Sequence, residues 1–195
     1  LFYHADIKGA FLTGKRMEVL RAIVEKKGRE AITVVTTMDA FLDGLPSKEE
    51  LCGNRIKIHA EEALDFQKLQ ENLSILGYER ENQVESPGQF AVRGGILDVF
   101  PLTEENPVRI ELWGDEVDSI RSFDVESQRS TENLQEIEIY PATENWKQME
   151  TESFLAYFPV KETILFLDEP VRLQESAEIV EKEYFHSLES REEAG

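Results

Sequence analysis

The period of apolar positions changes twice along this chain. From Thr13 to Lys27 they recur at helical spacing, with Met17, Leu20, Ile23 and Val24 on one stripe and Gly28 as the stop. Ala31–Thr37 (AITVVTT) is a short apolar, β-branched run, which predicts a buried strand, and Gly44 and Pro46 close that unit. After about Ser47 the rhythm turns to alternation. Ile56 and Ile58 mark a half-buried strand, and Asp65 caps a helix over Phe66–Leu76 that ends at Gly77. Short strands are predicted at Gln89–Arg93, Ile96–Phe100, Val108–Trp113, Glu116–Phe123 and Glu136–Tyr140. Gly94-Gly95, Asn106-Pro107 and Gly114-Asp115 lie between them, the signature of an antiparallel meander. From Thr143 a second continuous apolar run, Thr163–Pro170 (TILFLDEP), predicts another buried strand. It precedes an amphipathic helix with Ala177, Val180, Tyr184 and Leu188 on one stripe.

The expected fold class is therefore α/β plus α+β. An α+β domain with an antiparallel sheet, residues 48–142, is inserted into an α/β domain whose parts are residues 1–47 and 143–195. Two flanking strands are too few to close a sheet, so the outer domain is expected to be truncated. The chain opens on LFYHADIKGAF and reads as a piece of a longer protein.

Composition narrows the function classes. A formal charge of −19 over 195 residues argues against non-specific nucleic-acid binding as the main task, although it leaves room for a local basic patch. The single cysteine, Cys52, forms no internal disulfide and fits a reducing, cytoplasmic compartment. No signal-peptide pattern and no bilayer-spanning apolar run is seen.

Catalytic patterns are incomplete. Gly9–Arg16 (GAFLTGKR) approaches the phosphate-loop pattern, but Arg16 stands where a hydroxyl must bind Mg²⁺ and no convincing strand precedes it. A loop leading into a helix is the better reading. Asp168 and Glu169 end an apolar run as magnesium- and water-positioning acids do, yet buried strands often end in acids for solubility, and no phosphate cradle accompanies them. His4, His59 and His186 have no ligand spacing and Cys52 has no CxxC partner, so no metal site and no cofactor is expected. Cys52 reads as a small buried or half-buried residue.

A face of arginines carries more. Period two puts Val108, Ile110 and Leu112 on the core side of their strand, and Arg109, Glu111 and Trp113 on the other. In Gln89–Arg93, Phe90 and Val92 face inward while Gln89, Ala91 and Arg93 face outward, and Arg80 lies just ahead of that strand. Arginine and tryptophan are enriched at binding hot spots for their planar area and, in arginine, a fixed fork of donors. The plainer reading is a solvated sheet face laced with weak ion pairs, and pattern alone favours it.

The same residues resemble a known family. GQFAVRGGILDVFP, PVRIELWGDEVDSIRSFDVESQRS and IYPA, within Tyr78 to Ala142, are similar to the UvrB-like module of the bacterial transcription-repair coupling factors. The opening LFYHADIKGAFLTGKRMEVLRAI and the FLDEPVR segment extend the likeness more loosely. UvrB has a related pattern, but its usual second arginine falls on Ala91 here. The resemblance implies a non-enzymatic adaptor that recruits the repair protein UvrA to stalled RNA polymerase by mimicking UvrB. It puts the UvrA-contacting arginines at Arg80, Arg93 and Arg109 and the acid at Glu111. It further implies an outer domain shaped like a helicase lobe without its nucleotide site. The other domains of the full-length ATP-dependent translocase would be further partners that mask this face in an autoinhibited state. The alternative is a piece of a UvrB-type repair ATPase in which Asp168 and Glu169 work.

Overall fold

Alternating strands and one capped helix build the sheet-bearing part of the structure, a computed structural model that describes residues 10–26, 31–143 and 151–192. In chain order its elements are α1 (Ala10–Val24), α2 (Met38–Leu42), α3 (Lys48–Gly53), β1 (Ile56–His59), α4 (Phe66–Ile75), β2 (Glu79–Arg80), β3 (Gln89–Arg93), β4 (Ile96–Val99), β5 (Val108–Trp113), β6 (Glu116–Phe123), β7 (Ser130–Leu134), β8 (Glu136–Ile139) and α5 (Pro170–Glu192). They fall into two compact units. The first comprises Leu1–Lys8, Ile23–Lys48 and Asn145–Gly195, the second Gly9–Ala22 and Glu49–Glu144.

The second unit is α+β. Its main sheet has the order β2-β3-β4-β5-β6-β7, antiparallel except for the parallel β2–β3 edge, and β1 and β8 form a separate antiparallel pair. One face of the main sheet supplies Phe90, Leu97, Val99, Val108, Ile110, Val117 and Ile120 to the core. Leu69 and Leu73 of α4, and Ile58, Ile137 and Ile139 of the small sheet, pack onto them. Each such side chain contributes roughly 1.5–3 kcal/mol when fully buried. The α4 boundaries follow from capping. The Asp65 carboxylate accepts from the Lys68 amide at 2.9 Å, and the Tyr78 amide returns to the Leu73 carbonyl at 2.9 Å through Gly77 at φ +87°. Beneath it, the buried Tyr78 hydroxyl donates to the Tyr140 carbonyl at 2.9 Å.

The first unit is held by different contacts. Leu45 and Glu152 form an isolated antiparallel bridge, the buried Tyr157 hydroxyl donates to the Pro46 carbonyl at 2.7 Å, and α2 packs against α5. Phe154 sits edge-on between Phe41 and Phe158.

Several expectations need correction. Residues 31–37 and 163–169 form no strand. Val35 is 91 % exposed and Phe166 86 % exposed. β-Branched composition favours extended backbone, but a strand needs a neighbour's amides and carbonyls, and among the described residues nothing pairs with either run. The segment read as a loop before a helix is already helical by Ala10, and Gly14-Lys15-Arg16 lie inside α1. Gly14 serves packing there: a Cβ on it would stand 3.0 Å from the Leu102 carbonyl oxygen. β2 and β7 were not foreseen. The expected stop at Gly28 lies outside the described residues, as does the Leu188 side chain; of the α5 stripe, Val180 is buried, Ala177 half-buried and Tyr184 exposed.

Candidate functional site

The face of the main sheet opposite α4 is built by parity. Across β3, β4, β5 and β6 one row reads Ala91, Asp98, Arg109, Arg121, and the next reads Arg93, Ile96, Glu111, Ser119. Arg109 and Arg121 stand directly opposite one another, which would repel them if both faced solvent alone. Each is drawn instead to a different carboxylate.

Arg109 turns to Asp98. Its Nε and Nη2 donate to the two Asp98 oxygens at 2.7 and 2.8 Å, a bidentate fork, and Arg93 Nη2 donates to Asp98 Oδ2 at 2.8 Å from the other side. The Asp98 side chain is only 2 % exposed, so a buried carboxylate sits at the centre with an arginine on each flank. Arg109 is 16 % exposed and Arg93 52 %. The Arg109 guanidinium also lies over the Phe123 ring, 4.5 Å from its centroid, and Nη2 donates to Gln128 Oε1 at 3.2 Å. Hydrogen bonding to Asp98 holds the Arg109 pKa above its ordinary value, with burial opposing.

The loop after β6 makes this seat. Asp124 Oδ1 accepts from the Ser127 amide at 2.8 Å and from its hydroxyl at 2.7 Å, which lowers the Asp124 pKa and tightens the turn. Gln128, at φ +58°, then reaches back, its Nε2 donating to the Val125 carbonyl at 2.8 Å. Val125 packs on a small cluster of Val84, Ala91 and Phe100. Ala91 was expected on the exposed face. It does lie on that side of the sheet, but this cluster covers it, and it is buried.

Glu111 answers the second arginine, pairing with Arg121 and accepting from the Ser119 hydroxyl at 3.4 Å. Trp113, beside the β5–β6 turn, is 84 % exposed on the same side. The structure thus brings together Arg93, Arg109 and Glu111, with Trp113 beyond them. It does not bring Arg80 into the group. Arg80 is exposed on edge strand β2 in register with Phe90, the row that faces the core, and it has no ion-pair partner among the described residues. Sequence reasoning missed Asp98, Arg121, Phe123 and Gln128. Only Asp98 left a signal, a lone acid inside the apolar run Ile96-Leu97-Asp98-Val99.

The other candidates are dispersed. Lys15 pairs with Glu18 on the surface of α1, and Glu169, just before α5, pairs with Arg172 at 2.5 Å beside an exposed Asp168. Cys52 is half-buried and free. No cluster able to hold a metal occurs among the described residues, and no helix is long and apolar enough to cross a membrane.

Residues 56–145 match the family described as the UvrB interaction domain, a range that contains the whole arginine–carboxylate cluster. The chain is also similar to proteins named transcription-repair-coupling factor. The one from Bacillus subtilis (strain 168) is 42 % identical over 133 residues, covering 68 % of this chain and 11 % of that protein. Those from Staphylococcus aureus strains bovine RF122 and MRSA252 are 37 % and 36 % identical over the same shares. The chain spans about a tenth of the length of these curated relatives.

Proposed function

As a chain that belongs to the transcription-repair-coupling factor family and carries a UvrB interaction domain at residues 56–145, we propose that it is a docking module for UvrA. In this reading it serves an adaptor that brings nucleotide-excision repair to stalled RNA polymerase, with no catalysis of its own. The observation that carries it is the ordered cluster Arg93–Asp98–Arg109, flanked by Glu111 and an exposed Trp113, within the matched domain. Arg93 and Arg109 meet carboxylates on UvrA, Glu111 meets a basic group, and Trp113 supplies apolar area at the rim. Arg80 widens the footprint round the β2 edge of the sheet. The protein of which it is a part is cytoplasmic. Its other domains, which carry the translocase activity, cover this face at rest.

Equilibrium binding of the purified chain to UvrA tests this. Arg93→Ala should weaken the complex by about 2–5 kcal/mol if its new partner is a buried carboxylate. Glu111→Ala and Arg80→Ala should each weaken it less, as expected of rim charges. A wild-type chain that fails to bind UvrA, or full binding by the Arg93→Ala/Arg109→Ala double variant, would overturn the reading.

A further inference from the structure

The two arginines of the cluster are not equivalent, and the difference lies in Asp98. A guanidinium has five N–H donors. Arg109 commits three N–H bonds within the chain, two to Asp98 and one to Gln128, and its plane rests on Phe123. Arg93 commits one, to Asp98, and is the more exposed of the pair. One buried carboxylate therefore fixes two long side chains that would otherwise each sample many rotamers.

We propose that Asp98 is the positioning residue of the docking face: it pre-orders Arg93 and Arg109 before the partner arrives and itself touches nothing on the partner. This rests on the docking reading above. Gln128 does the same for Arg109 alone, from a loop that Asp124 keeps closed. The sign of the effect separates positioning from simple electrostatics. Asp98→Asn removes a negative charge beside two arginines and makes the face more positive. If the summed charge of the face drove its attraction to partner carboxylates, this variant would bind more tightly. If pre-ordering drives docking, it binds less tightly, because both arginines must be ordered during association. Ordering a rotamer-rich side chain lowers affinity by roughly two- to tenfold, so two of them predict a loss of about fourfold to a hundredfold.

The experiment compares wild type, Asp98→Asn and Gln128→Ala by UvrA titration. In the free chain it also records the Arg109 Nε–H resonance by NMR, together with the backbone amides of β3, β4 and β5. In wild type that Nε–H should be slow to exchange. The expected result for Asp98→Asn is weaker binding by about fourfold or more and loss of Nε–H protection, with the strand amides unchanged. Gln128→Ala keeps every charge and should lose a few-fold in affinity with partial loss of Nε–H protection. It carries the test if Asp98→Asn disturbs the strands. Equal or tighter binding by Asp98→Asn with its strands intact, or unchanged binding by Gln128→Ala with a loosened Arg109, overturns the positioning role while leaving the docking reading standing. Failure of wild type itself to bind UvrA overturns the docking reading and this inference with it.

Discussion

Replacing each arginine in turn should separate stability from recognition. Arg109→Ala deletes the bidentate fork to Asp98 and the contact over Phe123, and it leaves a carboxylate that is 2 % exposed facing only Arg93. Removing one partner of a buried pair costs about 3–5 kcal/mol. Arg93 still donates one bond to Asp98, so about 2–4 kcal/mol is the expected loss. Arg93→Ala removes one bond from a side chain that is more than half exposed, while Asp98 keeps its fork from Arg109. Solvent screening reduces that loss to about 0–1 kcal/mol. Native-state hydrogen exchange at the amides of Leu97 and Ile110, both in the core of the second unit, reads its opening free energy directly. Arg109→Ala should speed exchange there by about thirtyfold or more, and Arg93→Ala by less than tenfold. Equal effects, or a larger one from Arg93→Ala, would show that Asp98 is not anchored chiefly by Arg109.

Three further substitutions or conditions follow from the scaffold. Asp65→Ala removes the acceptor for the Lys68 amide and should lower the stability of the second unit by about 1 kcal/mol in urea unfolding. Gly77→Ala forces a side chain into φ +87° and against Thr143, so it should cost more than the roughly 1 kcal/mol typical of a helix stop placed in open space. For pH, the folded Asp124 pKa lies below the ordinary value of 3.8, so the stability it contributes is present above that value and is lost as pH falls through the lower folded pKa. Amide signals of Ser127 and Gln128 should hold position from pH 7 down to about the ordinary aspartate range and shift only below it.

The sheet-bearing unit was legible in the sequence where local rules and tertiary context agree. Asp65 and Gly77 bounded α4 because capping is decided by a few adjacent residues. Three of the five predicted strands agree residue for residue and the other two end one residue early, because alternation and glycine turns bound strands locally, but Glu136–Ile139 pairs with β1 in a separate sheet and does not continue the expected meander. The runs at 31–37 and 163–169 failed for the opposite reason. Their composition is as strand-like as any in the chain, but strand identity belongs to the ladder, and neither has one among the described residues. The candidate face was half legible. Period two found Arg93, Arg109 and Glu111 on one side. It could not say that Arg109 is nearly buried, that Ala91 is covered by the loop after β6, or that β2 turns Arg80 to the core-facing row. Those facts depend on which strand lies beside which, and no single-strand pattern holds them.

The charge balance of the face favours recognition at contact over attraction at a distance. Arg93, Arg109 and Arg121 are matched within the chain by Asp98 and Glu111, leaving a small excess of positive charge on a molecule of net charge −19. Beyond a Debye length of about 8 Å at physiological salt every charge is largely screened, so an acidic partner meets only a weak net repulsion and no long-range attraction. A phosphate backbone would meet the same repulsion and could release few counterions from so balanced a cluster, which disfavours DNA as the ligand of this face. A protein partner has another resource. It can place one carboxylate against the uncommitted donors of Arg93, an apolar surface against Trp113, and a cation against Glu111, each within a few ångströms. Such a surface gains little from steering, and its association rate should sit in the unsteered range of about 10⁵–10⁷ M⁻¹s⁻¹. Its specificity then rests on how accurately the arginines are held, which returns the burden to the one buried carboxylate between them.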